Sequence, residues 1–204
     1  TNTASTTLYS LDRWNVIGSQ ASKYTVQQNA GSVTPPVGFT NYLGVTSSSA
    51  YSIGATDYFS IRQFIEGYNT ADLSWGTASA SSVTLSFWVR SSLTGTFGGS
   101  LNNSGNARSY PFTYTVNTAN TWQKQSITIP GDTTGSWWSN NNVGMHLYFL
   151  LGQGSSTSGG TMNSWNNNEV LPSSANGMVN VVSSSNGSFY LTGVQLERGS
   201  LASP

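Results

Sequence analysis

Apolar and polar residues alternate along several parts of the chain, which is the pattern of a strand with one buried face. The clearest case is the segment 82–92, SVTLSFWVRSS, in which one face is formed by Val83, Leu85, Phe87 and Val89. Four more segments alternate in the same way and end at turn residues: 110–117, 122–130, 143–152 and 188–197. The pattern predicts a strand over each of these five segments.

Three earlier segments carry a weaker strand pattern: 11–18, 51–56 and 58–67. The last of them also fits a short helix by the spacing of its apolar residues, but nothing in the chain sustains a period of 3.6. Six to nine strands separated by turns every ten to fifteen residues favour an all-β, antiparallel jelly-roll β-sandwich.

The segment 152–168, GQGSSTSGGTMNSWNNN, is too polar to pack, yet it holds Trp165. Long loops of this kind often carry function. No repeat and no linker-like change of composition divides the chain, so we expect one domain over residues 1–204. The chain starts at Thr1 and ends in GSLASP, which is typical of a piece excised from a longer polypeptide, or of a processed one.

Charge is scarce: 7% of the residues are charged, and seven acidic residues balance seven basic ones. Binding to nucleic acid needs clustered Lys and Arg to displace counterions, so we expect no nucleic-acid partner. No apolar run approaches the length of a membrane span, and we expect no membrane insertion. Cysteine is absent, which excludes disulfides and thiolate metal sites.

Catalytic patterns are weak. Glycoside hydrolysis needs two carboxylates held at a set distance, and nothing in the spacing of the seven acidic residues predicts such a pair. The single histidine, His146, lies in the apolar strand segment GMHLYFLL without a nucleophile-elbow pattern nearby. We therefore expect a strand histidine and a protein that is not an enzyme.

Sugar recognition fits the composition better. A pyranose stacks one face on Trp or Tyr, and its hydroxyl rim bonds to amides and hydroxyls. The segments SWWSNNN (136–142) and MNSWNNN (162–168) both combine these groups, so Trp138, Asn140, Trp165 and Asn166 are candidate glycan-binding residues.

Two places in the chain stay open between a glycan-binding role and a purely structural one. Trp165 is either an exposed platform or a loop anchor folded back over a sheet. Arg108 and Tyr110, in the turn NNSGNARSYP, are either further binding residues at a hairpin tip or part of a plain solvated turn. We expect the strand-associated tryptophans to pack: Trp14, Trp75, Trp88 and Trp122.

Several phrases resemble a domain of bacteriophage tail fibres and tail spikes: LDRW at 11–14, FIEG at 64–67, VTLSFWVRSSLTGT at 83–96, TWQKQSITIPGDTTGSW at 121–137 and LTGVQLERGSLASP at 191–204. The resemblance implies a jelly-roll sandwich similar to carbohydrate-binding modules, carried on virion fibres that face the host surface. It further implies a homotrimer in the parent fibre and a glycan on the host cell as partner.

The resemblance also bears on individual residues. Its phrase GDTTGSW stops at Trp137, and neighbouring residues in an extended chain point to opposite sides. Trp137 is therefore expected to plug the sandwich, with Trp138 exposed. Similar modules often hold a structural calcium near their termini, for which Glu197 and Asp12 are candidate ligands. The alternative is that Glu197 makes only a salt bridge or a hydrogen bond at the strand end.

Three functions remain in view at this point. The first is a non-enzymatic receptor-binding domain of a phage tail fibre that recognises bacterial surface glycan. The second is a carbohydrate-binding module of a glycosidase whose catalytic domain lies elsewhere. The third is a structural trimerisation or spacer domain of a virion fibre.

Overall fold

Two antiparallel sheets pack face to face in a computed structural model that describes residues 2–3, 8–11 and 13–203. The described residues form these strands: β1 Asn2–Thr3, β2 Leu8–Leu11, β3 Trp14–Gly18, β4 Tyr24–Gln28, β5 Leu43–Ser47, β6 Tyr58–Glu66, β7 Val83–Ser91, β8 Gly95–Asn103, β9 Ser109–Val116, β10 Gln123–Ile129, β11 Val143–Gln153 and β12 Ser188–Arg198.

Sheet A has the strand order β1-β4-β5-β12-β7-β10, and sheet B has the order β2-β3-β6-β11-β8-β9. Non-consecutive strands are neighbours in both sheets, as in a jelly roll. The remaining regular structure in the described part of the chain is a set of single 3₁₀ turns: Ala30–Ser32, Gly67–Asn69, Ala71–Leu73, Ser155–Thr157, Ser174–Asn176 and Val181–Ser183. No helix among the described residues is long and apolar enough to cross a membrane.

The main core lies between the two sheets and is rich in aromatic rings. Phe149 on β11 is at its centre: its ring centroid lies 5.0 Å from that of Phe87, 6.3 Å from Phe112 and 6.0 Å from Trp14. The Phe87 and Phe112 rings meet Phe149 nearly edge to face, the arrangement that aromatic pairs favour. Because the two phenylalanines belong to different sheets, this cluster holds the layers together.

The five strongest strand predictions are confirmed. The segment 82–92 forms β7, and its apolar face of Val83, Leu85, Phe87 and Val89 is buried. The segments 110–117, 122–130, 143–152 and 188–197 form β9, β10, β11 and β12. The segment 58–67 forms β6 and not a helix, because its alternate residues face the core and the outer side of sheet B.

Other expectations need correction. The segment 51–56 is not a strand, because it turns over the end of the sandwich toward Asp57. β1, β2, β4, β5 and β8 were not predicted from the sequence. β8 has the sequence GTFGGSLNN, in which glycine occupies positions that packing demands. A Cβ atom at Gly98 would lie 2.7 Å from the ring of Pro172.

Side-chain amides close one side of the sandwich. β9 and β10 are edge strands of different sheets, and Gln125 donates from Nε2 to the carbonyl oxygen of Thr115 at 3.0 Å. The Oε1 atom of Gln123 accepts from the backbone N–H of Asn117 at 3.0 Å. These bonds occupy edge groups that could otherwise pair with another chain.

We expect Phe149→Ala to lower the free energy of unfolding by about 3–5 kcal/mol, because it leaves a cavity at the centre of the aromatic core. Urea unfolding followed by tryptophan fluorescence measures the loss. Val37→Ala is the control, since Val37 is exposed, and it should change stability by less than about 0.5 kcal/mol. Equal losses in the two variants would contradict this account of the core.

Candidate functional site

The outer face of sheet B carries a second buried cluster, separate from the main core. It contains Tyr148 and Leu150 of β11, with Ile17 of β3 packed against them. Residues 154–187, which connect β11 to β12 and are called the 154–187 segment below, add Leu171 and Met178 from above. Leu171 and Met178 lie beyond the segment 152–168 expected to be too polar to pack, and the first two residues of that segment, Gly152 and Gln153, belong to β11 instead.

The 154–187 segment is held over β8 and β9 by hydrogen bonds to both strands. The backbone N–H of Val170 donates to Ser109 Oγ at 3.0 Å, and that of Val179 donates to the carbonyl oxygen of Thr96 at 2.7 Å. Ser100 Oγ donates to the carbonyl oxygen of Val170 at 3.3 Å. The segment covers this half of the face and leaves the half over β3, β6 and β11 partly open.

The open half forms a cleft of about 350 Å³, called the sheet B cleft below. This volume lies at the lower end of the range for small-molecule sites. Polar and aromatic side chains predominate in its lining: Tyr58, Ser60, Arg62, Asn106, Tyr148, Gln153, Ser156, Thr157 and Glu169. Tyr58 is 43% exposed at the rim, so its ring can stack on a ligand.

Arg62 is fixed at the floor of the sheet B cleft. Its Nε donates to Asn15 Oδ1 at 2.9 Å, and one terminal nitrogen donates to Tyr148 Oη at 3.2 Å. The guanidinium also lies 4.6 Å from the centre of the Phe64 ring. An arginine has five N–H donors, so these two bonds leave three without a partner among the described residues.

Glu169 contributes the carboxyl group of the sheet B cleft. Burial raises its pKa above the ordinary value of 4.5, while the charge of Arg62 acts in the opposite direction. Among the described residues the ion pairs are Arg108–Asp132 and Arg198–Asp72, so Arg62 and Glu169 influence each other without forming one. Both charged groups therefore line the sheet B cleft without being paired to each other.

Gln153 presents a polar atom that no described residue satisfies. The residue is 3% exposed and lines the sheet B cleft, and its Nε2 donates to Thr157 Oγ1 at 2.9 Å. Its Oε1 atom is buried without a hydrogen-bond partner. An unsatisfied buried acceptor carries a free-energy penalty of about 1–3 kcal/mol.

His146 lies beside this site on β11, as expected of a strand histidine. Its Nδ1 is 3.2 Å from Tyr148 Oη, and its ring meets that of Phe64 at 4.9 Å. Burial, with a contribution from the charge of Arg62, lowers the pKa of His146 to about 4. The imidazole is therefore neutral at pH 7 and helps to hold Tyr148 and Phe64 against Arg62.

The candidate residues Trp165, Arg108 and Tyr110 lie together at one end of the sandwich. Trp165 packs against Trp75 and Trp137 at centroid distances of 5.3 and 5.6 Å, and against Tyr110 at 5.3 Å. Its indole Nε1 donates to the carbonyl oxygen of Pro130 at 2.8 Å. Of the two alternatives for Trp165, the structure shows the loop anchor; we call Trp75, Trp137 and Trp165 the tryptophan plug.

Arg108 and Asp132 form a buried ion pair beneath the tryptophan plug. Arg108 is 8% exposed and Asp132 is 1% exposed, and the guanidinium donates to both carboxylate oxygens at 2.8 and 2.5 Å. Arg108 also donates to Asn167 Oδ1, and Trp137 Nε1 donates to Asp132 at 3.0 Å. The alternative of a plain solvated turn is wrong for Arg108 and Tyr110. Both side chains are buried, and both contact Trp165 of the tryptophan plug.

The remaining candidates differ in exposure. Trp138 is 48% exposed while Trp137 turns inward, which confirms the predicted sorting of this pair. Asn140 is exposed beside Trp138, and its Oδ1 accepts from the backbone N–H of Asn142 at 2.9 Å. The side chain of Asn166 bonds to the backbone of Thr161 and so holds its own loop rather than facing outward.

Glu197 makes the strand-end contacts that were the alternative to a metal role. Its carboxylate accepts from Ser203 Oγ at 2.6 Å and from the Ser203 backbone N–H at 2.9 Å. These two bonds lower the pKa of Glu197. Asp12, the other candidate calcium ligand, lies outside the described residues, among which there is no group of three or more His, Cys, Asp or Glu side chains that could hold a metal ion. The calcium site stays a prediction.

No family model and no curated protein matches this chain. Solved structures do match it. A bacteriophage CBA120 tailspike protein 4 domain, described as enzymatically active, superposes with a TM-score of 0.50 at 10% identity, over 91% of this chain and 19% of the tailspike chain. The shared property is the fold.

Two carbohydrate-binding proteins match less closely. The CBM22 tandem domain of Paenibacillus barcinonensis Xyn10C has a TM-score of 0.49 at 18% identity, covering 91% of this chain and 45% of that one. The family 11 carbohydrate-binding module of Clostridium thermocellum, in complex with a mixed-linked tetrasaccharide, has 0.42 at 12% identity, covering 94% and 91%. This chain spans about a fifth of the tailspike chain and under half of the tandem domain.

Sequence reasoning missed the sheet B cleft. A signal for half of it was present: Tyr58, Ser60 and Arg62 occupy alternate positions of one strand, as polar residues on an outer face do. No sequence signal linked Arg62 to Gln153 or Glu169, because only the folded chain places Gln153 of β11 beside β6 and carries Glu169 of the 154–187 segment over the sheet.

Removing one partner of the buried ion pair should be strongly destabilising. Burial opposes ionisation of Asp132, but hydrogen bonds from Arg108, Trp137 and Thr134 outweigh it and lower the Asp132 pKa below 3.8. We expect Asp132→Asn to lower the free energy of unfolding by about 3–5 kcal/mol at pH 7. Because the lowered pKa stabilises the fold only while the carboxylate is charged, the difference from wild type should shrink as the pH falls below about 4.

Asp72→Asn is the matched control, since Asp72 and Arg198 form an exposed pair with 3.8 Å between their charged atoms. It should change stability by less than about 1 kcal/mol. Urea unfolding at a series of pH values tests both variants. A pH-independent loss in Asp132→Asn would contradict the assigned role of its charge.

Proposed function

We propose that this chain binds a glycan in the sheet B cleft. The observation that carries the proposal is a pair of opposite charges in the cleft with free hydrogen-bonding capacity: Arg62 keeps N–H donors, and Glu169 forms no ion pair among the described residues. Sugar hydroxyls both donate and accept, so a sugar can bond to both groups. Tyr58 at the rim supplies an apolar face for stacking.

The charge of the sheet B cleft favours a neutral sugar. Arg62 and Glu169 face the same space with opposite charges, and a neutral ligand can accept from one and donate to the other. An acidic sugar would be attracted by Arg62 but repelled by the carboxylate of Glu169. The balanced and sparse charge of the whole chain is consistent with a partner that requires no net charge.

The proposed role is binding without catalysis. Among the described residues that line the sheet B cleft, Glu169 supplies the carboxyl group, whereas hydrolysis by the usual mechanism uses two. We further propose a phage tail fibre or tail spike context, in which the domain faces the host surface and the fibre is a homotrimer. The phrases ending in LTGVQLERGSLASP and the tailspike likeness support this context.

The first test is a glycan array of bacterial surface polysaccharides and plant and algal glycans, followed by calorimetry on each glycan that binds. Arg62→Gln should weaken binding about 10- to 100-fold, because hydrogen bonds to a charged group contribute about 1.5–3 kcal/mol. Arg90→Gln makes the same change on sheet A, where Arg90 donates to the carbonyl oxygen of Asn120, and should leave affinity unchanged.

Circular dichroism of both arginine variants checks that they are folded. The proposal would be overturned if no glycan on the array binds, or if wild type and Arg62→Gln bind every glycan with equal affinity. A stable trimer without any glycan response would instead favour a structural role in the fibre.

Binding should also depend on pH through Glu169. Because burial raises the Glu169 pKa, its carboxylate gains a proton at a higher pH than an exposed glutamate does. We expect affinity to fall as the pH is lowered from 7 toward 4.5, since the protonated group loses acceptor strength. His146, whose pKa burial and the charge of Arg62 lower to about 4, begins to gain a proton only at the acid end of this range.

Glu169→Gln should bind more weakly at pH 7 and lose most of this pH dependence. Glu66→Gln is the matched control, because Glu66 is exposed at the far end of β6. Calorimetry at several pH values measures the effect. An unchanged pH profile in Glu169→Gln would show that this carboxyl does not contact the ligand.

A further inference from the structure

The outer face of sheet A lies on the opposite side of the sandwich from the sheet B cleft and has a different chemistry. On β7 the residues that alternate with the core-facing Leu85 and Phe87 point to this face, and Trp88 is the largest of them. Trp88 is half-buried, and Lys124 of β10 stands opposite it in the strand register. An indole and an ammonium group therefore lie side by side on the outer surface of sheet A.

Two segments cover parts of this face and leave a groove between them. Residues 29–42, which connect β4 to β5, are held by a hydrogen bond of 2.9 Å from Trp122 Nε1 to the carbonyl oxygen of Thr34. Residues 199–203 are held by a bond of 2.8 Å from Thr84 Oγ1 to the first carbonyl oxygen of that segment. The space left open has a volume of about 400 Å³, and we call it the sheet A groove.

Large apolar side chains are exposed in and beside the sheet A groove. Val37 is fully exposed and Phe39 is 37% exposed, and both line the groove together with Trp88 and Val194. Leu201, in the segment that covers Thr84, is 83% exposed. An exposed apolar patch of this kind marks an interaction surface.

The turn 36–39, which carries Val37, is fixed against sheet A. The backbone N–H of Phe39 donates to the carbonyl oxygen of Pro36 at 3.1 Å and closes the turn. A Cβ atom at Gly193 would lie 2.5 Å from the Phe39 ring, so Phe39 packs directly on the backbone of β12. Val37 therefore projects from a preorganised turn, and a partner that contacts it pays little ordering entropy.

Lys124 and Glu197 place opposite charges beside the apolar patch. Lys124 lines the sheet A groove, and Glu197 lies on β12 two residues beyond Gln195, which also lines it. Hydrogen bonds from Ser203 lower the pKa of Glu197, and the charge of Lys124 adds to this effect, yet the two side chains form no ion pair among the described residues. A surface with one group of each sign can attract a copy of itself, because Glu197 of one copy can approach Lys124 of the next.

We infer that the outer face of sheet A is an interface between copies of this chain, in which Val37 of one copy enters the sheet A groove of the next and Glu197 approaches Lys124. The projecting turn and the receiving groove lie on the same face, so each copy supplies both halves of the contact. The inference rests on the proposed function for its context, since it assigns a surface to the proposed homotrimer. The sheet B cleft is on the opposite face and stays open in such an assembly.

The test is sedimentation equilibrium of the chain at concentrations from about 10 µM to about 1 mM, a range that detects micromolar and weaker self-association. Wild type should associate, and Val37→Asp should raise the dissociation constant about tenfold or more, because it places a charge in the apolar groove of the neighbouring copy. Val37 is fully exposed in the single chain, so this change leaves the fold intact. Tyr68→Asp is the matched control: Tyr68 is 67% exposed on the 67–69 turn, away from sheet A, and its variant should associate as wild type does.

A second measurement tests whether the charges meet between copies. Lys124→Glu alone and Glu197→Lys alone each present two charges of the same sign at the interface, so each variant should be monomeric. An equimolar mixture of the two should associate, because each variant then meets opposite charges on the other. Circular dichroism checks that both are folded. A mixture that stays monomeric would contradict the assigned contact between Lys124 and Glu197.

The outcomes separate this inference from the proposed function. Wild type that is monomeric at about 1 mM, or association that Val37→Asp leaves unchanged, overturns the inference. A mass of three copies supports both the interface and the proposed homotrimer, whereas a mass of two supports the interface and contradicts the homotrimer. Val37→Asp should keep the wild-type affinity for each glycan that binds on the array. An array without any binding, beside self-association that Val37→Asp weakens, overturns glycan binding and leaves the interface standing.

Discussion

The buried pair of Arg108 and Asp132 joins three segments that would otherwise be independent. Arg108 belongs to the turn between β8 and β9, Asp132 to the connection between β10 and β11, and Asn167, which Arg108 also contacts, to the 154–187 segment. Of the two ion pairs among the described residues this one is buried, whereas Arg198 and Asp72 are exposed. Trp137, bonded to the same carboxylate, closes the tryptophan plug above it.

The sheet B cleft and the exposure of Trp138 both depend on that junction. The 163–171 part of the 154–187 segment is tied to Arg108 and Ser109, and it carries Glu169 into the sheet B cleft. The connection that holds Asp132 also turns Trp137 inward, and this leaves Trp138 on the surface. Residues that looked like binding candidates, Arg108 and Trp165 among them, thus serve to position the groups that face solvent.

The alternation of apolar and polar residues predicted a strand correctly where one face of that strand is buried. In β7 the alternation is regular because Val83 through Val89 pack against a continuous core, and the strand was predicted at nearly its observed bounds. β8 escaped prediction because its glycines make room for Pro172 and Met178 of a distant segment. The sorting of Trp137 and Trp138 succeeded because neighbouring extended residues point to opposite sides.

The sequence by itself determined the fold class, the scarcity of charge and the polar, aromatic character of the surface. These properties follow from composition and from local periodicity, which act over a few residues. Only the tertiary structure decided which side chains meet: Arg62, Gln153 and Glu169 in the cleft, and Arg108 with Asp132 inside. These contacts depend on the path of the 154–187 segment over the outer face of sheet B. That path is set by many contacts between residues far apart in the sequence.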